Sequence, residues 1–461
     1  MAITKLLIAN RGEIAVRIIR AARELGIRTV QVYSAADASS LAVQLADEAV
    51  EIGPPAAKKS YLDVEAVLKA ARDTGADGIH PGYGFLAENA DFADAVEQAG
   101  IAFVGPTGEM IRTMGDKASA RKAAERAGVP TVPGSDGVIT DMKAATELTS
   151  QIGYPVMIKA TAGGGGRGIR IAETPEEFAS LAPQAAAEAK AAFGDGGLYL
   201  EKLIGKARHI EVQILGDGTN FIHCYERECS LQRRRQKVWE EAPSSALSDK
   251  VRDDLCRSAV ALARAVGYRG AGTVEYLYDD ENGEFYFIEM NTRIQVEHPV
   301  TEAITGIDLV AEMIAIGGGA PLSISQDQVT VRGHSIEVRI NAEDPANDFM
   351  PYPGTVEKLR IPGGPGVRFD HMLYHGYQIP PFYDSLLGKL IVDADTRDKA
   401  IERLKRAAGE LDLGKLKTTT PLFLALAEAG DVRRGDVHTK WLEPWLEANG
   451  HQLVNTGGNG S

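Results

Sequence analysis

Short apolar runs alternate with segments of helical spacing at the start of the chain. KLLIA (5–9), TVQVYS (29–34), DGIH (77–80) and AFVG (102–105) read as strands, while Ile14, Ile18, Ala22 and Leu25 recur at intervals that give a helix one apolar face. This alternation predicts βαβ units, hence a parallel sheet over residues 1–115. Gly26 falls where a helix C-terminus calls for left-handed backbone, and HPGYG (80–84) follows a strand end, where open α/β sheets place ligands. A polar, alanine-rich helix is expected at 116–129, within a linker spanning 116–131. From Val132 the pattern becomes strand-rich, with PVMIKA, RIA and LYLEKLI marking a small lid over 132–203. Beyond it, HIEVQIL, FIHCYE, TVEYLY and EFYFIEM predict antiparallel strands of a larger sheet within 204–447, together with helices around 396–412 and 420–429. The tail, 448–461, ends NTGGNGS, too small and polar to pack, and is expected to be disordered.

Composition narrows the function classes. A chain of 461 residues has room for two or three cored domains, and its net charge of −14 argues against a general nucleic-acid or anionic-membrane surface. Arg233-Arg234-Arg235-Gln236-Lys237 is therefore read as a solvated face or a local anion pocket. No run approaches the roughly 18 apolar residues of a membrane span, so a cytoplasmic protein is expected. Three cysteines make no disulfide framework. His371 with His375, and His223 with Cys224 and Cys229, fall short of four zinc ligands, and ordinary packing is the expectation for both groups.

Two stretches carry chemistry. In KATAGGGGRGIRI (159–171), Gly163, Gly165 and Gly168 match a dinucleotide-binding spacing, but a strand follows where that motif needs a helix. The loop reads instead as a mobile hairpin tip whose backbone N–H groups meet phosphate, with Lys159, Arg167 and Arg170 adding charge. A nucleoside triphosphate fits it better than NAD. In the second stretch, Glu289, Asn291, Arg293, Gln295 and Glu297 alternate with apolar residues and share one face if the chain stays extended. Asn282-Gly283 marks a hairpin; a loop of three or five residues centred on Asn282 would set Glu275 opposite Glu289, and a two-residue loop would not. Paired carboxylates and an amide beside a phosphate loop suit Mg²⁺, which leaves Arg293 and Glu297 for a second substrate.

NRGEIAVRIIRA, HPGYGFLAENADFA, MGDK, AGVPTVPG, GYPVMIKATAGGGGRGIR, ECSLQRRRQKVWEEAP, EMNTRIQVEHPVTE, INAEDP and PPFYDSLLGKLI together resemble biotin carboxylase, the ATP-grasp component of biotin-dependent carboxylases such as acetyl-CoA carboxylase. The resemblance implies an α/β and α+β chain: an N-terminal Rossmann-like (pre-ATP-grasp) domain, a small mobile lid and a C-terminal ATP-grasp domain with an antiparallel sheet. It also implies the reaction. ATP with Mg²⁺ or Mn²⁺ phosphorylates bicarbonate to carboxyphosphate, which carboxylates biotin on a carrier protein, with released phosphate as the base for biotin. By resemblance, Lys117, Lys159, Gly163, Gly164, Gly165, Gly166, His209 and Gln232 hold ATP phosphates and ribose, and Glu201, Lys202 and Leu203 flank adenine. Glu275, Glu289 and Asn291 resemble the metal set; Lys237, Arg293, Gln295 and the Val296 backbone resemble a bicarbonate cradle. Glu297 resembles the general base for bicarbonate and Arg339 the group that stabilises the biotin enolate. Arg20 and Phe369 are expected near a homodimer contact.

Three departures from the family pattern stand out: Arg235 in place of a common histidine, Ala87 in place of a serine, and LGKLKTT (413–419). Arg235 is expected to contact ATP. No lysine sits in an Ala-Met-Lys-Met setting, since Met142-Lys143 has other neighbours, so the biotin carboxyl carrier protein and the carboxyltransferase are expected on other chains. Two alternatives remain at this level: a nucleotide-binding regulatory subunit without turnover, and another ATP-grasp ligase joining a carboxylate to an amine.

Overall fold

The computed structural model describes residues 2–160, 169–193, 197–451 and 453. Lys5–Ile8 (β1), Arg28–Ser34 (β2), Glu48–Gly53 (β3), Gly78–His80 (β4) and Ala102–Phe103 (β5) form a parallel sheet in the order β3-β2-β1-β4-β5. The helix Gly12–Glu24 buries Ile14, Ile18 and Ala22 as its spacing predicts, but Leu25 is 45% exposed. Leu25 lies one residue past the last helical turn, where the backbone has left the helical register. Gly26, at φ +72°, lets the Gly26 and Ile27 N–H groups turn back onto the carbonyls of Arg23 and Ala22, a Schellman closure. The edge strand β3 was hidden by its polarity, with Glu48 and Glu51 on its half-exposed faces.

The polar helix expected at 116–129 is present as Lys117–Arg126, and a second short helix, Gly108–Gly115, precedes it. Asp116 caps the polar helix by accepting from the Ser119 N–H, and its Ala120 and Ala124 pack into a core with Tyr276 and Phe287. The strands Val156–Ala160 (β6), Ile169–Ala172 (β7) and Leu198–Lys202 (β8) make an antiparallel sheet in the order β7-β6-β8. Helices Met142–Ile152 and Pro175–Phe193 belong to the same unit, and Pro183 inside the second reads as a breaker in the sequence. The four glycines 163–166 and the NTGGNGS tail lie outside the described residues.

The large sheet is antiparallel throughout. Ala207–Asp217 (β9), Phe221–Arg233 (β10), Gln236–Ala242 (β11), Arg269–Asp279 (β12), Glu284–Asn291 (β13) and His334–Asn341 (β14) contribute six of its strands. A two-residue ladder of Glu343–Asp344 (β15) with Met350–Pro351 (β16) stands apart, and Val367–His371 (β17) and Leu386–Ala394 (β18) complete the order β13-β12-β9-β10-β11-β14-β18-β17. All four predicted strands fall within β9, β10, β12 and β13, and both expected helices are present at Arg397–Glu410 and Thr420–Glu428. One core joins the two large sheets: Leu6, Ile14 and Ile18 of the N-terminal unit pack with Leu215, Ala271 and Ile294. That shared core brings the loop after β4 against the loop after β13, where Glu88 accepts from Arg293 Nε at 2.8 Å.

Candidate active site

The register of the β12–β13 hairpin decides which side chains meet. Asp279 pairs with Glu284 and Tyr276 with Phe287 across a four-residue connection, 280–283, yet Glu275 pairs with Glu289. The predicted pairing is present, but neither a three- nor a five-residue loop produces it: Ile288 is an extra residue, a bulge that advances the register by one. Without the bulge, Ile288 would oppose Glu275 and Glu289 would face the other way. The expected extended line also ends early. β13 stops at Asn291, and the chain turns so that Glu297 immediately precedes the helix His298–Thr305, its side chain making no capping bond. Gln295 and Glu297 rejoin the group through this turn rather than through strand alternation.

These residues border one cavity of about 660 Å³. It is lined by His209, Gln232, Arg235, Lys237, Glu275, Glu289, Asn291, Arg293, Gln295, Val296, Glu297 and Arg339, along with Tyr83 and Phe349. Lys237 is its electrostatic centre. Its Nζ donates to Glu211 at 2.5 Å, Glu297 at 2.7 Å and Glu275 at 3.0 Å. Burial would discharge this ammonium, but Glu211 and Glu297 hold its pKa well above the ordinary value. Arg339 spans Glu240, at 2.7 Å from Nε, and Glu297, at 3.0 Å. Burial pushes Glu297 up, but the charges of Lys237, Arg339 and Arg227 together outweigh it, so the carboxylate is held below its usual range. Burial prevails at Glu240, which rises to about 7 despite Arg339. His209 lies 3.0 Å from Glu275; burial and Lys237 lower its pKa, but the two nearby carboxylates raise it to about 9.

The candidate metal set passes a test of its donors. Asn291 Nδ2 donates to Glu275 Oε1 at 2.9 Å, and its amide oxygen, beside the two carboxyl groups, accepts from Arg293 at 3.1 Å and keeps its second lone pair for a cation. Glu289 is raised by burial and next by the charge of Glu275, a like-charge repulsion that a bound cation relieves. Among the described residues, two other groups of ligand-type atoms lie within 4.8 Å of one another: His209, Glu211 and Glu275, and Glu211, Cys229 and Glu297. Lys237 is bonded to Glu211, Glu275 and Glu297 and so supplies the positive charge there. Of the histidines weighed for zinc, His371 stacks on Phe369 and His223 lies edge-on to Tyr225.

Several expected residues lie elsewhere. Lys117 opens the helix Lys117–Arg126 at the surface. Lys159 and Glu201 pair with each other across β6 and β8 at 2.5 Å. The N–H groups of Lys202 and Leu203 donate to Pro133 and Pro155. None of these five lines the cavity. The arginine run divides: Arg233 pairs with Glu343 over the Phe349 ring and, like Arg235, lines the cavity, whereas Arg234 pairs with Asp348 away from it. Arg234 and Arg235 form a two-residue turn with φ of +49° and +66°.

Sequence reasoning passed over Glu211, Arg227, Glu240 and Glu88. A signal existed for Glu211, which shares the period-two face of His209 and Gln213 in HIEVQIL and sits directly opposite Glu275. None existed for Arg227. An irregularity between His223 and Glu226, with Tyr225 at φ +61°, breaks the alternation that would have shown its face.

Models of known families match almost the whole chain: the biotin carboxylase N-terminal domain over residues 2–111, the ATP-binding domain of the carbamoyl-phosphate synthase L chain over 116–325, and the biotin carboxylase C-terminal domain over 337–444. Biotin carboxylase 1 of Bacillus subtilis is 54% identical over 444 residues, covering 96% of this chain and 99% of its own. This chain belongs to the biotin carboxylase family. Its activity is ATP-dependent carboxylation of biotin, with ATP and Mg²⁺ as cofactors. Among solved structures, the biotin carboxylase domain of a thermophilic 2-oxoglutarate carboxylase bound to ADP superposes with a TM-score of 0.93 at 48% identity, covering 98% of this chain and 99% of that one. The biotin carboxylase component of a pyruvate carboxylase gives 0.91 at 48% identity, with the same coverages. The dimeric domain from Hydrogenobacter thermophilus, in complex with MgADP, ADP and bicarbonate, gives 0.84 at 48% identity, again over 98% of this chain and 99% of that one.

Proposed function

We propose that the 660 Å³ cavity joins bicarbonate to biotin through a division of labour centred on Glu297. The observation that carries this reading is the position of one buried carboxylate between two cations, Lys237 at 2.7 Å and Arg339 at 3.0 Å. Lys237, Arg293, Gln295 and the Val296 backbone seat bicarbonate. As the anion draws the Lys237 ammonium toward itself, Glu297 loses the largest of the charges that held its pKa down and becomes a stronger base for the bicarbonate proton. Arg339 then faces the biotin ureido oxygen as it gains negative charge, and Glu240 keeps the guanidinium in place. Glu275, Glu289 and Asn291 would hold Mg²⁺, which neutralises phosphate charge on ATP. Lys159, Lys202 and their neighbours on the lid, with the glycine loop, serve the nucleotide. Bicarbonate-dependent ADP release, measured with and without free biotin, tests the whole. A regulatory subunit would show no turnover, and an amine ligase would show no bicarbonate requirement.

The carrier that presents biotin and the carboxyltransferase that discharges it are separate chains in this reading, the protein is cytoplasmic, and two copies form a homodimer. Among the described residues no helix is long and apolar enough to cross a membrane. Relatives named for different carboxylases share this architecture, so the final acceptor is chosen by the transferase.

Two expected outcomes probe the assignments. Arg339→Ala suppresses biotin carboxylation far more than bicarbonate-dependent ATP cleavage, because its guanidinium serves the later step. A parallel loss of both rates would move Arg339 into the bicarbonate seat. Arg235→Ala raises the KM for ATP about tenfold, the loss of one charge-assisted hydrogen bond, with the bicarbonate KM unchanged. The guanidinium has no side-chain partner among the described residues, so removing it disturbs nothing else; an unaltered ATP dependence would make it a solvated turn residue.

A further inference from the structure

Behind the loop that carries Val296 lies a charged group the reaction does not consume. Lys389, on β18, is fully buried, and its Nζ donates to the Val296 carbonyl at 2.8 Å. Its ion-pair partner is Glu13 of the helix Gly12–Glu24, 3.2 Å away and equally buried. Glu13 in turn accepts from the hydroxyl of Tyr83, which lines the cavity. The preceding carbonyl is held as well: His298 Nδ1 lies 2.7 Å from Gln295 O, and the ring is wholly buried. A carbonyl only accepts, so Nδ1 carries the proton; burial, then Lys389, Arg17 and Arg368, keep the ring neutral.

In a trans peptide the C=O and the N–H of the same plane point in opposite directions. Two successive carbonyls, of Gln295 and Val296, are pulled into the protein. The N–H groups of Val296 and Glu297 share those planes and are therefore turned the other way. Neither donates to an acceptor among the described residues, and both residues line the cavity. We propose that His298 and the Glu13–Lys389 pair are positioning residues that aim the Val296 and Glu297 N–H groups at the bicarbonate anion. A buried ammonium with one carboxylate partner costs more in desolvation than a packed apolar pair would, and fixing a backbone orientation gives that charge a use. Because Glu13 comes from the N-terminal unit, the anion seat is also tied to the docking of that unit. This rests on the reading that bicarbonate sits against Val296.

The test compares bicarbonate and ATP kinetics in five variants. His298→Leu is expected to raise the bicarbonate KM about tenfold or more, with the ATP KM within about twofold of the parent; His298→Asn, whose amide restores an N–H donor, recovers most of the loss. Lys389→Met strands the Glu13 charge and lowers the melting temperature as well. In Lys389→Met/Glu13→Gln the stranded charge is gone, so the melting temperature recovers while the bicarbonate KM stays high. Arg293→Ala serves as the control for the seat itself. If it raises the bicarbonate KM while the folded double variant and His298→Leu do not, the positioning role is wrong. If bicarbonate and ATP KM rise together in His298→Leu, the effect is general and the role is equally wrong. An unchanged value in Arg293→Ala removes the seat, and the positioning role with it.

Discussion

Glu297→Gln leaves MgATP binding within about twofold of the parent and cuts turnover by about 10² or more, the scale of lost general-base catalysis. The surroundings explain why so selective a result is expected. The amide keeps the shape of the carboxylate. Lys237 retains Glu211 and Glu275, and Arg339 retains Glu240, so neither cation is set adrift. The carboxyl groups assigned to the metal, Glu275 and Glu289, are untouched. What disappears is the ability to take a proton from bicarbonate. Nucleotide titration by calorimetry, run beside bicarbonate-dependent ADP release, separates the two quantities. A comparable fall in MgATP affinity would place Glu297 among the nucleotide ligands instead.

Replacing Arg227 has the opposite character. Its guanidinium is fully buried and donates to five residues, Glu211, Gln213, Thr273, Gln295 and Thr301, a use of every N–H it has. Arg227→Met leaves Glu211 short of a counter-charge at zero exposure and strips the anchor from Gln295. Breaking one side of a buried pair costs about 3–5 kcal/mol, most of it the penalty on the group left behind. A large drop in melting temperature is therefore expected, together with a raised bicarbonate KM. Arg227→Met/Glu211→Gln should regain much of the lost stability without restoring the KM. If the single variant melts with the parent, Glu211 is not held ionised by Arg227.

How much of this was legible depends on the period of each element. Strand alternation carried information wherever the ladder stayed regular, which is why β9 and β12 could be read; the pairing of Glu275 with Glu289, expected from a three- or five-residue loop, arises instead from the bulge at Ile288. The reading failed at irregularities. The bulge at Ile288, the break near Tyr225 and the turn after Asn291 each shift a side chain to a face that simple counting assigns to its neighbour. The buried ion network was also opaque. A charged residue inside a strand reads as solvated unless its partner, often more than a hundred positions away, is known; Glu240 meets Arg339 across 99 residues, and Arg17 meets Glu302 across 285. The resemblance supplied the residues proposed to meet substrates, but not those that hold them still.

The ammonium of Lys237 has a consequence for the order of events. Lying among three carboxylates at 2.5–3.0 Å, it acts as a counter-ion that the chain carries with it. A divalent ion arriving alone gains little from Glu275, whose charge is already answered, and must evict a tethered competitor to gain more. The same ion arriving with a polyphosphate brings its own oxygens and an anion toward which the lysine can swing. If Glu275 serves the metal as proposed, idle metal uptake would thereby be discouraged and occupancy of the carboxylates made conditional on substrate. In the proposed reaction the lysine would work as an interlock: the acidic cluster stays quenched until the anions that need it are at hand.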